Sequence, residues 1–124
     1  MSHFTTIAIE IKNGGLLKQA LESLGYPVTE NAVVRGYLGN TDMAEYVIPM
    51  PNSYDIGFRK IGDRYELVAD MWGVAMNIED FLGEVIQQYA TRAVLQSASE
   101  QGFTIEQQEI LEDGNIRIVV GRWA

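Results

Sequence analysis

Alternating and helical spacings of apolar residues divide the first part of the chain into a strand and a helix. Isoleucine occupies every second position from Ile7 to Ile11, and this period of two predicts a half-buried strand over residues 4–11. Leucine and alanine then recur at helical spacing, which predicts a short amphipathic helix over residues 14–24. Asn13 is a suitable N-cap for this helix, although the two glycines that follow weaken the first turn.

Short apolar runs separated by turn residues predict β-structure through the middle of the chain. Strands are expected over residues 32–38 and 46–48, and the two closely spaced prolines that follow forbid central sheet pairing there. A hairpin comes next, with one arm over residues 54–60 and the other over residues 64–71.

The longest predicted element is a helix over residues 78–101, for which Asn77 provides an N-cap. A wide apolar stripe runs along it at a spacing near 3.6, formed by Phe81, Leu82, Val85, Ile86, Tyr89, Ala90, Ala93, Val94 and Ala98. Two final strands, over residues 103–111 and 115–122, are joined through Asp113-Gly114, which is a good hairpin signal.

In chain order the predicted elements are β-α-β-β-β-β-α-β-β, within one domain that spans residues 1–124. Hairpin-length connections dominate, so the sheet should be mainly antiparallel. Each helix has one apolar side, which favours an α+β fold built as a two-layer sandwich with both helices on one face of the sheet. The opposite face is then expected to stay open to partners.

The composition narrows the classes of partner and location. Acidic residues outnumber basic ones by 17 to 9, and the resulting net charge of −8 argues against a nucleic-acid partner, which normally requires a basic face. No apolar stretch approaches the roughly 20 residues that span a bilayer, and no secretory signal is recognisable. We therefore expect a soluble cytoplasmic protein with no membrane partner.

Motifs for catalysis and cofactor binding are missing from the sequence. Cysteine is absent, which excludes disulfides, thiolate metal sites and cysteine nucleophiles. His3 is the single histidine, and one imidazole near the start of the chain is a poor basis for a metal site or a catalytic triad. No phosphate-binding glycine motif is present. The sequence accordingly predicts no catalytic, cofactor-binding or metal-ligating residue and no cofactor.

Arg59, Lys60 and Arg64 concentrate three of the nine basic residues around the middle hairpin. They form either an anion-binding or partner-docking patch, or a solvated hairpin tip with charge pairs to Asp63 and Glu66. The second interpretation is the simpler one, because surface charge clusters commonly do only this.

Three further residues are candidates for an interaction or ligand surface. Asp70 lies four residues from Glu66 on the same side of a strand, about 13 Å away, which is too far for a carboxylate pair. A solvated sheet face accounts for both acids, whereas an Asp70 turned toward Trp72 into a dry environment would suit acid–base chemistry. Trp72, in a glycine-flanked connection, is either core or an exposed interface anchor. Arg92, in the middle of the long helix, is either solvated or bridges to the loop of Trp72.

Several stretches along nearly the whole chain are similar to one known family: residues 1–7 (MSHFTTI), 17–26, 54–60 (YDIGFRK), 65–70 (YELVAD) and 72–74 (WGV), and the terminal hairpin. With them the chain resembles a domain-of-unknown-function family of cyanobacteria, other bacteria and algal plastids, called hypothetical chloroplast reading frame thirty-five in plastids. The resemblance implies a compact protein of the cytoplasm, or of the plastid stroma if plastid-encoded. It implies no reaction, and it suggests an accessory role beside an ATPase of the AAA+ type.

We predict a non-enzymatic interaction or accessory protein that acts through a sheet edge or the Trp72 region, because catalytic motifs are missing while exposed strand edges are expected. The alternative is a small-molecule or anion-binding domain that uses the crevice between helices and sheet, with Arg59, Arg64 and Asp70. An enzyme using carboxylates and tyrosine alone would need paired acids in a pocket, and the spacing of the acids offers none. An open antiparallel sheet also allows homo-oligomers.

Overall fold

A computed structural model describes residues 4–36, 39, 41–50, 53–70, 74, 76–112 and 115–122, without the side chains of residues 105 and 122. Within these ranges the chain forms seven strands and two helices in the predicted order, which confirms the α+β fold. The elements are β1 (Phe4–Ala8), α1 (Gly14–Ser23), β2 (Thr29–Arg35), β3 (Thr41–Ile48), β4 (Ile56–Ile61), β5 (Arg64–Asp70), α2 (Ile78–Glu100), β6 (Phe103–Ile110) and β7 (Ile116–Arg122).

Five strands form one sheet in the order β1-β5-β4-β3-β2, with every neighbouring pair antiparallel. The predicted middle hairpin is β4–β5, in which Phe58 is paired with Leu67. Among the described residues, the last two strands pair with each other alone, in a separate two-stranded sheet. Asp113-Gly114, the predicted turn between them, lies outside the described residues.

Asparagine caps both helices, as the sequence predicts. The side chains of Asn13 and Asn77 each accept a hydrogen bond at 3.1 Å from the backbone N–H three residues later. The helix α1 begins at Gly14 despite the two glycines in its first turn. The other helix also holds this cap in place, because the backbone N–H of Asn13 donates to the Tyr89 hydroxyl of α2 at 3.1 Å.

Both helices bury apolar side chains against the same face of the five-stranded sheet. Leu17 and Leu21 of α1 and Phe81 and Val85 of α2 belong to one buried cluster with Phe58 of β4. The sheet and the segment after β1 complete that cluster with Ile9, Ile11, Ile48, Ile56, Tyr65, Leu67 and Ala69. The alternation of β5 is as predicted on this side, and the helices lie where one-sided amphipathic helices must lie.

The second face of the sheet is partly buried as well, which corrects the expectation that it is open. The β2–β3 ribbon bends over it, so that Val34 and Ala44 form a second apolar cluster with Val47. Phe4, from the opposite edge of the sheet, packs against the same cluster. As a result Val68, which lies between Glu66 and Asp70 on β5, is fully buried.

Gly57 on β4 is the position where the ribbon comes closest to the sheet. A Cβ atom at Gly57 would collide with the Val34 side chain and would lie 3.0 Å from the Cβ of Ala44. Glycine therefore allows two layers of backbone to approach where any larger residue would hold them apart.

In the described part of the chain, the C-terminal hairpin, β6–β7, packs mainly along α2. Phe103, Ile118 and Val120 lie beside the second half of α2, with Ala98 of the helix between them. Among the described residues, neither helix is both long enough and apolar enough to cross a bilayer.

Candidate functional site

An open groove with a volume of about 730 Å³ lies between the outer side of α2 and one face of β7. Its helical wall presents Ile86, Ala90 and Val94, and its other wall presents Ile116 and Ile118. Ile86 is 47% exposed and Val94 is 49% exposed, although both carry large apolar side chains. The groove is thus an apolar surface that the described part of the chain leaves without a covering partner.

The groove arises from the width of the apolar stripe on α2. A helix that faces a single core needs an apolar arc of roughly 100°. On α2, Phe81 and Val85 are buried in the main core, whereas Ile86, Ala90 and Val94 lie on an adjacent side and line the groove. The sequence shows the width of the stripe but not which part of it faces the main core, so sequence analysis does not find Ile86, Ala90 and Val94 as site residues.

Acidic side chains occupy the end of the groove nearest the start of α2. Glu79, Asp80 and Glu84 line it there, and all three are exposed. The first two also lie in the first turn of α2, where the helix dipole favours negative charge. No lysine or arginine belongs to the groove lining among the described residues, so its field is negative.

A second, smaller cavity of about 310 Å³ continues the groove toward the end of α2. Val94 and Ile118 line both cavities, and Ala98, Phe103 and Val120 line the second alone. The two cavities therefore form one apolar trough along α2, which we call the α2–β7 groove.

Arg59 and Lys60, two members of the predicted basic patch, differ in their surroundings. Arg59 lies on the sheet face opposite the helices and makes ion pairs with Asp42 at 2.8 Å and with Glu66 at 2.7 Å. These contacts, the hydrogen bond to Glu66 above all, raise the pKa of the Arg59 guanidinium. Lys60 is exposed, and its backbone N–H donates to the carboxylate of Glu45 at 2.5 Å.

Arg64 pairs with Glu10 at 2.7 Å and, more loosely, with Asp63 at 3.8 Å. Two arginines of the patch are therefore already neutralised by carboxylates of the same chain, as the solvated hairpin interpretation expects. Since Arg59 lies on the face away from the helices, it does not line the crevice between helices and sheet that the anion-binding hypothesis requires.

Asp70 is fully buried, and the prediction that it lies on a solvated sheet face is wrong. Its side chain lies on the face away from the helices, beneath the bend of the β2–β3 ribbon. A Cβ atom added at Gly36 would lie 3.1 Å from the Oδ2 of Asp70 and 2.9 Å from the ring of Phe4. Asp70 is therefore enclosed by the ribbon and β1, and it belongs to neither the helix–sheet crevice nor the α2–β7 groove.

Arg92 is partly buried on α2, and its Nε atom has no hydrogen-bond partner within the described part of the chain. Trp72, the predicted interface anchor, lies outside the described residues, as does His3. A bridge from Arg92 to the Trp72 loop therefore stays a prediction.

Asp55 is a buried carboxylate that is not among the candidates from the sequence. It lies just before β4 and binds Arg35 in a two-pronged contact, with distances of 2.6 Å and 2.8 Å to the guanidinium. Burial is the largest influence on its pKa and acts to raise it. Hydrogen bonds from the Arg35 side chain and from the backbone N–H groups of Met50 and Arg35 outweigh burial and lower the pKa below its ordinary value. Its geometry is that of a structural clamp.

The groups suited to acid–base chemistry are not arranged for it in the described residues. Tyr65 packs beside Tyr46 with ring centroids 6.0 Å apart, and its pKa is raised by burial first and then by Tyr46 and Glu45. Its hydroxyl therefore stays protonated near neutral pH. Across the described residues, no group of three or more histidine, cysteine or acidic side chains could hold a metal ion.

Comparison with known proteins gives a family without an assigned activity. Residues 20–119 match the family model described as a protein of unknown function, DUF1257. The uncharacterized protein ycf35 of Guillardia theta is 39% identical, that of Pyropia yezoensis 36% and that of Cyanophora paradoxa 34%. Each alignment covers 99% of this chain and 98% of the relative. No solved structure matches the chain. The chain belongs to the DUF1257 family, as its resemblance to the plastid reading-frame proteins implies.

Proposed function

We propose that this protein is a non-enzymatic interaction protein that holds a segment of another protein in the α2–β7 groove. The observation that carries the proposal is the unpartnered apolar lining of that groove. Eight large hydrophobic residues are exposed among those described, and five belong to α2 or the C-terminal hairpin: Ile86, Val94, Ile110, Leu111 and Val120. Ile86 and Val94 line the groove itself, and Val120 lines its second cavity. Exposed apolar residues grouped in this way are typical of a binding surface.

The occupant is expected to be a different protein and not a second copy. Each copy carries a net charge of −8, so two copies repel each other, and the groove itself adds acidic groups at one end. A partner with basic residues is attracted by the same field. The AAA+ ATPase suggested by the resemblance is one partner that can be tested in this way, in the cytoplasm or the plastid stroma.

The surfaces predicted from the sequence remain additional proposals. The outer strands β1 and β2 each have a neighbour on one side only within the five-stranded sheet, so either offers an edge for strand addition. The Trp72 region lies outside the described residues. Small-molecule or anion binding also stays a prediction, and a thermal-shift screen of anions and metabolites tests it.

A photo-crosslinking residue at position 90 tests the groove directly, because Ala90 is exposed within it. We expect a covalent adduct with one protein in extracts of cells that make this protein. The adduct should disappear in the double variant Ile86→Ser/Val94→Ser. A crosslinker at Met43, which is 55% exposed on the β2–β3 ribbon, serves as the control and should give no such adduct. Equal labelling from both positions, or an adduct between two copies, would contradict the proposal.

A further inference from the structure

We infer that the segment bound in the α2–β7 groove is an amphipathic helix with basic residues near one end. This inference rests on the proposed function and adds the form and charge of the occupant. Three features of the groove lead to it: the nature of its walls, its length, and the position of its acidic groups.

The walls of the groove are formed by side chains of α2 and by one face of β7, and not by the unpaired edge of that strand. Ile86, Ala90 and Val94 are spaced by four residues and form a row along α2, while Ile116 and Ile118 project from one face of β7. A bound strand gains most of its affinity from backbone hydrogen bonds to a sheet edge, which side-chain walls do not supply. A bound helix satisfies its own backbone groups and needs only apolar side chains to fill the groove. The walls therefore favour a helix.

The length of the first cavity of the groove suits a helix of about four turns. Its helical wall runs from Glu79 to Val94, and 15 steps of about 1.5 Å give a length near 22 Å. The second cavity extends the trough to Gln101. A helix of this length presents apolar residues at positions i, i+3 or i+4, and i+7 along one face. Gly83, which has no side chain, and Ala90, which has only a methyl group, leave room for such a helix to approach α2 closely.

The acidic groups set the charge of the occupant. Glu79, Asp80 and Glu84 lie at one end of the groove, and no described lining residue carries a positive charge. A helix with lysine or arginine over that end gains attraction, whereas an acidic helix of the same shape is repelled. Because these acids are exposed, their contribution should weaken as salt is added.

A selection from a random library of phage-displayed 16-residue peptides tests the inference without assuming a sequence. The full chain is the target, and phage that also bind the Ile86→Ser/Val94→Ser variant are removed. Both replaced residues are about half exposed, so the variant should fold, and circular dichroism and urea unfolding verify this. We expect the remaining peptides to carry apolar residues at helical spacing and a net positive charge.

The acidic end is then tested with the selected peptides. Glu79→Gln/Glu84→Gln should weaken their binding at least tenfold at low salt. The control, Glu22→Gln/Glu100→Gln, removes the same charge from exposed positions outside the groove and should change binding less than twofold.

The other outcomes contradict the helix inference alone, or the helix inference together with the proposed function. Groove-dependent peptides that are acidic, neutral or patterned with a period of two overturn the helix inference and leave the proposed function standing. An absence of groove-dependent peptides overturns both. Sedimentation that shows a dimer of the wild-type chain, lost in Ile86→Ser/Val94→Ser, also overturns both, because a second copy would then occupy the groove.

Discussion

The carboxylate of Asp55 accepts four hydrogen bonds although it is 2% exposed. Three come from Arg35, through its backbone N–H and its guanidinium, and one comes from the backbone N–H of Met50. The end of β2, the start of the segment after β3 and the residue just before β4 are thereby joined by one side chain. A buried acid often marks a reactive site, but the four hydrogen bonds of the Asp55 carboxylate are structural.

Replacing Asp55 by asparagine should destabilise the fold. The amide keeps one acceptor oxygen, but its NH₂ group faces donors, and the charge that pairs with Arg35 is lost. We expect the free energy of unfolding to fall by about 2–3 kcal/mol, as is usual for the loss of hydrogen bonds to a charged group, measured by urea denaturation. Asp63→Asn is the control. Because the Asp63 side chain is 77% exposed, that change should cost less than about 0.5 kcal/mol.

Acid should remove the difference in the free energy of unfolding between the wild type and Asp55→Asn. The folded pKa of Asp55 is lowered, so the stability from its ionised form is complete above the unfolded value of about 4. That contribution is lost as the pH falls through the lower folded value. Unfolding curves between pH 7 and pH 2 should therefore converge for the two proteins. A difference that stays constant over this range would show that Asp55 acts through packing alone.

The element order and both helix caps could be predicted from the sequence because each depends on neighbours within a few residues. Asn13 and Asn77 cap helices at predicted positions, and the α2 stripe marks a helix whatever it packs against. The bend of the β2–β3 ribbon could not be predicted, since it depends on Val34 meeting Gly57, 23 positions away. The α2–β7 groove was missed for a similar reason. Its existence depends on which side of the stripe the hairpin leaves uncovered.

Gly57→Ala should destabilise the five-stranded sheet. The added methyl group would push against Val34 and Ala44, and inserting a methyl group into a packed region costs about 1–3 kcal/mol. Shortening the Val34 side chain to alanine should relieve this strain. In the double variant Gly57→Ala/Val34→Ala, the loss measured by urea denaturation should therefore be smaller than the sum of the two single losses. Additive losses would mean that the ribbon does not rest on Gly57.

Gly83→Ala should have opposite effects on stability and binding. No atom lies within 4 Å of a Cβ placed at Gly83, and the position is inside α2, so alanine should stabilise the fold by about 0.5–1 kcal/mol. The same methyl group narrows the α2–β7 groove, and selected peptides should bind more weakly. Thermal unfolding and peptide titration of one preparation measure both effects. A variant that is more stable and binds equally well would place the occupant away from Gly83.

At the scale of the whole molecule, the chain consists of a two-faced sandwich and an attached hairpin. The five-stranded sheet is buried by helices on one face and partly by its own ribbon on the other. Within the ranges that the structure describes, the C-terminal hairpin has no strand pairing with that sheet, and it leaves a groove where it meets α2. The unpartnered apolar surface therefore lies where the C-terminal hairpin meets α2, and this hairpin has fewer stabilising contacts than the sandwich.

The hairpin should open more readily than the sandwich. A two-stranded sheet is marginal by itself, and β6–β7 is held mainly by its contact with α2. Native-state hydrogen exchange should therefore show backbone amides of β7, such as that of Ile118, exchanging at a lower opening free energy than that of Leu67 in the central hairpin. A selected peptide bound in the α2–β7 groove contacts both β7 and α2, so it should slow exchange in β7 while leaving Leu67 nearly unchanged. Equal protection of the two hairpins without peptide would mean that the β6–β7 sheet is an integral part of the folding unit. The α2–β7 groove would then be a rigid cleft and not a site that tightens on its occupant.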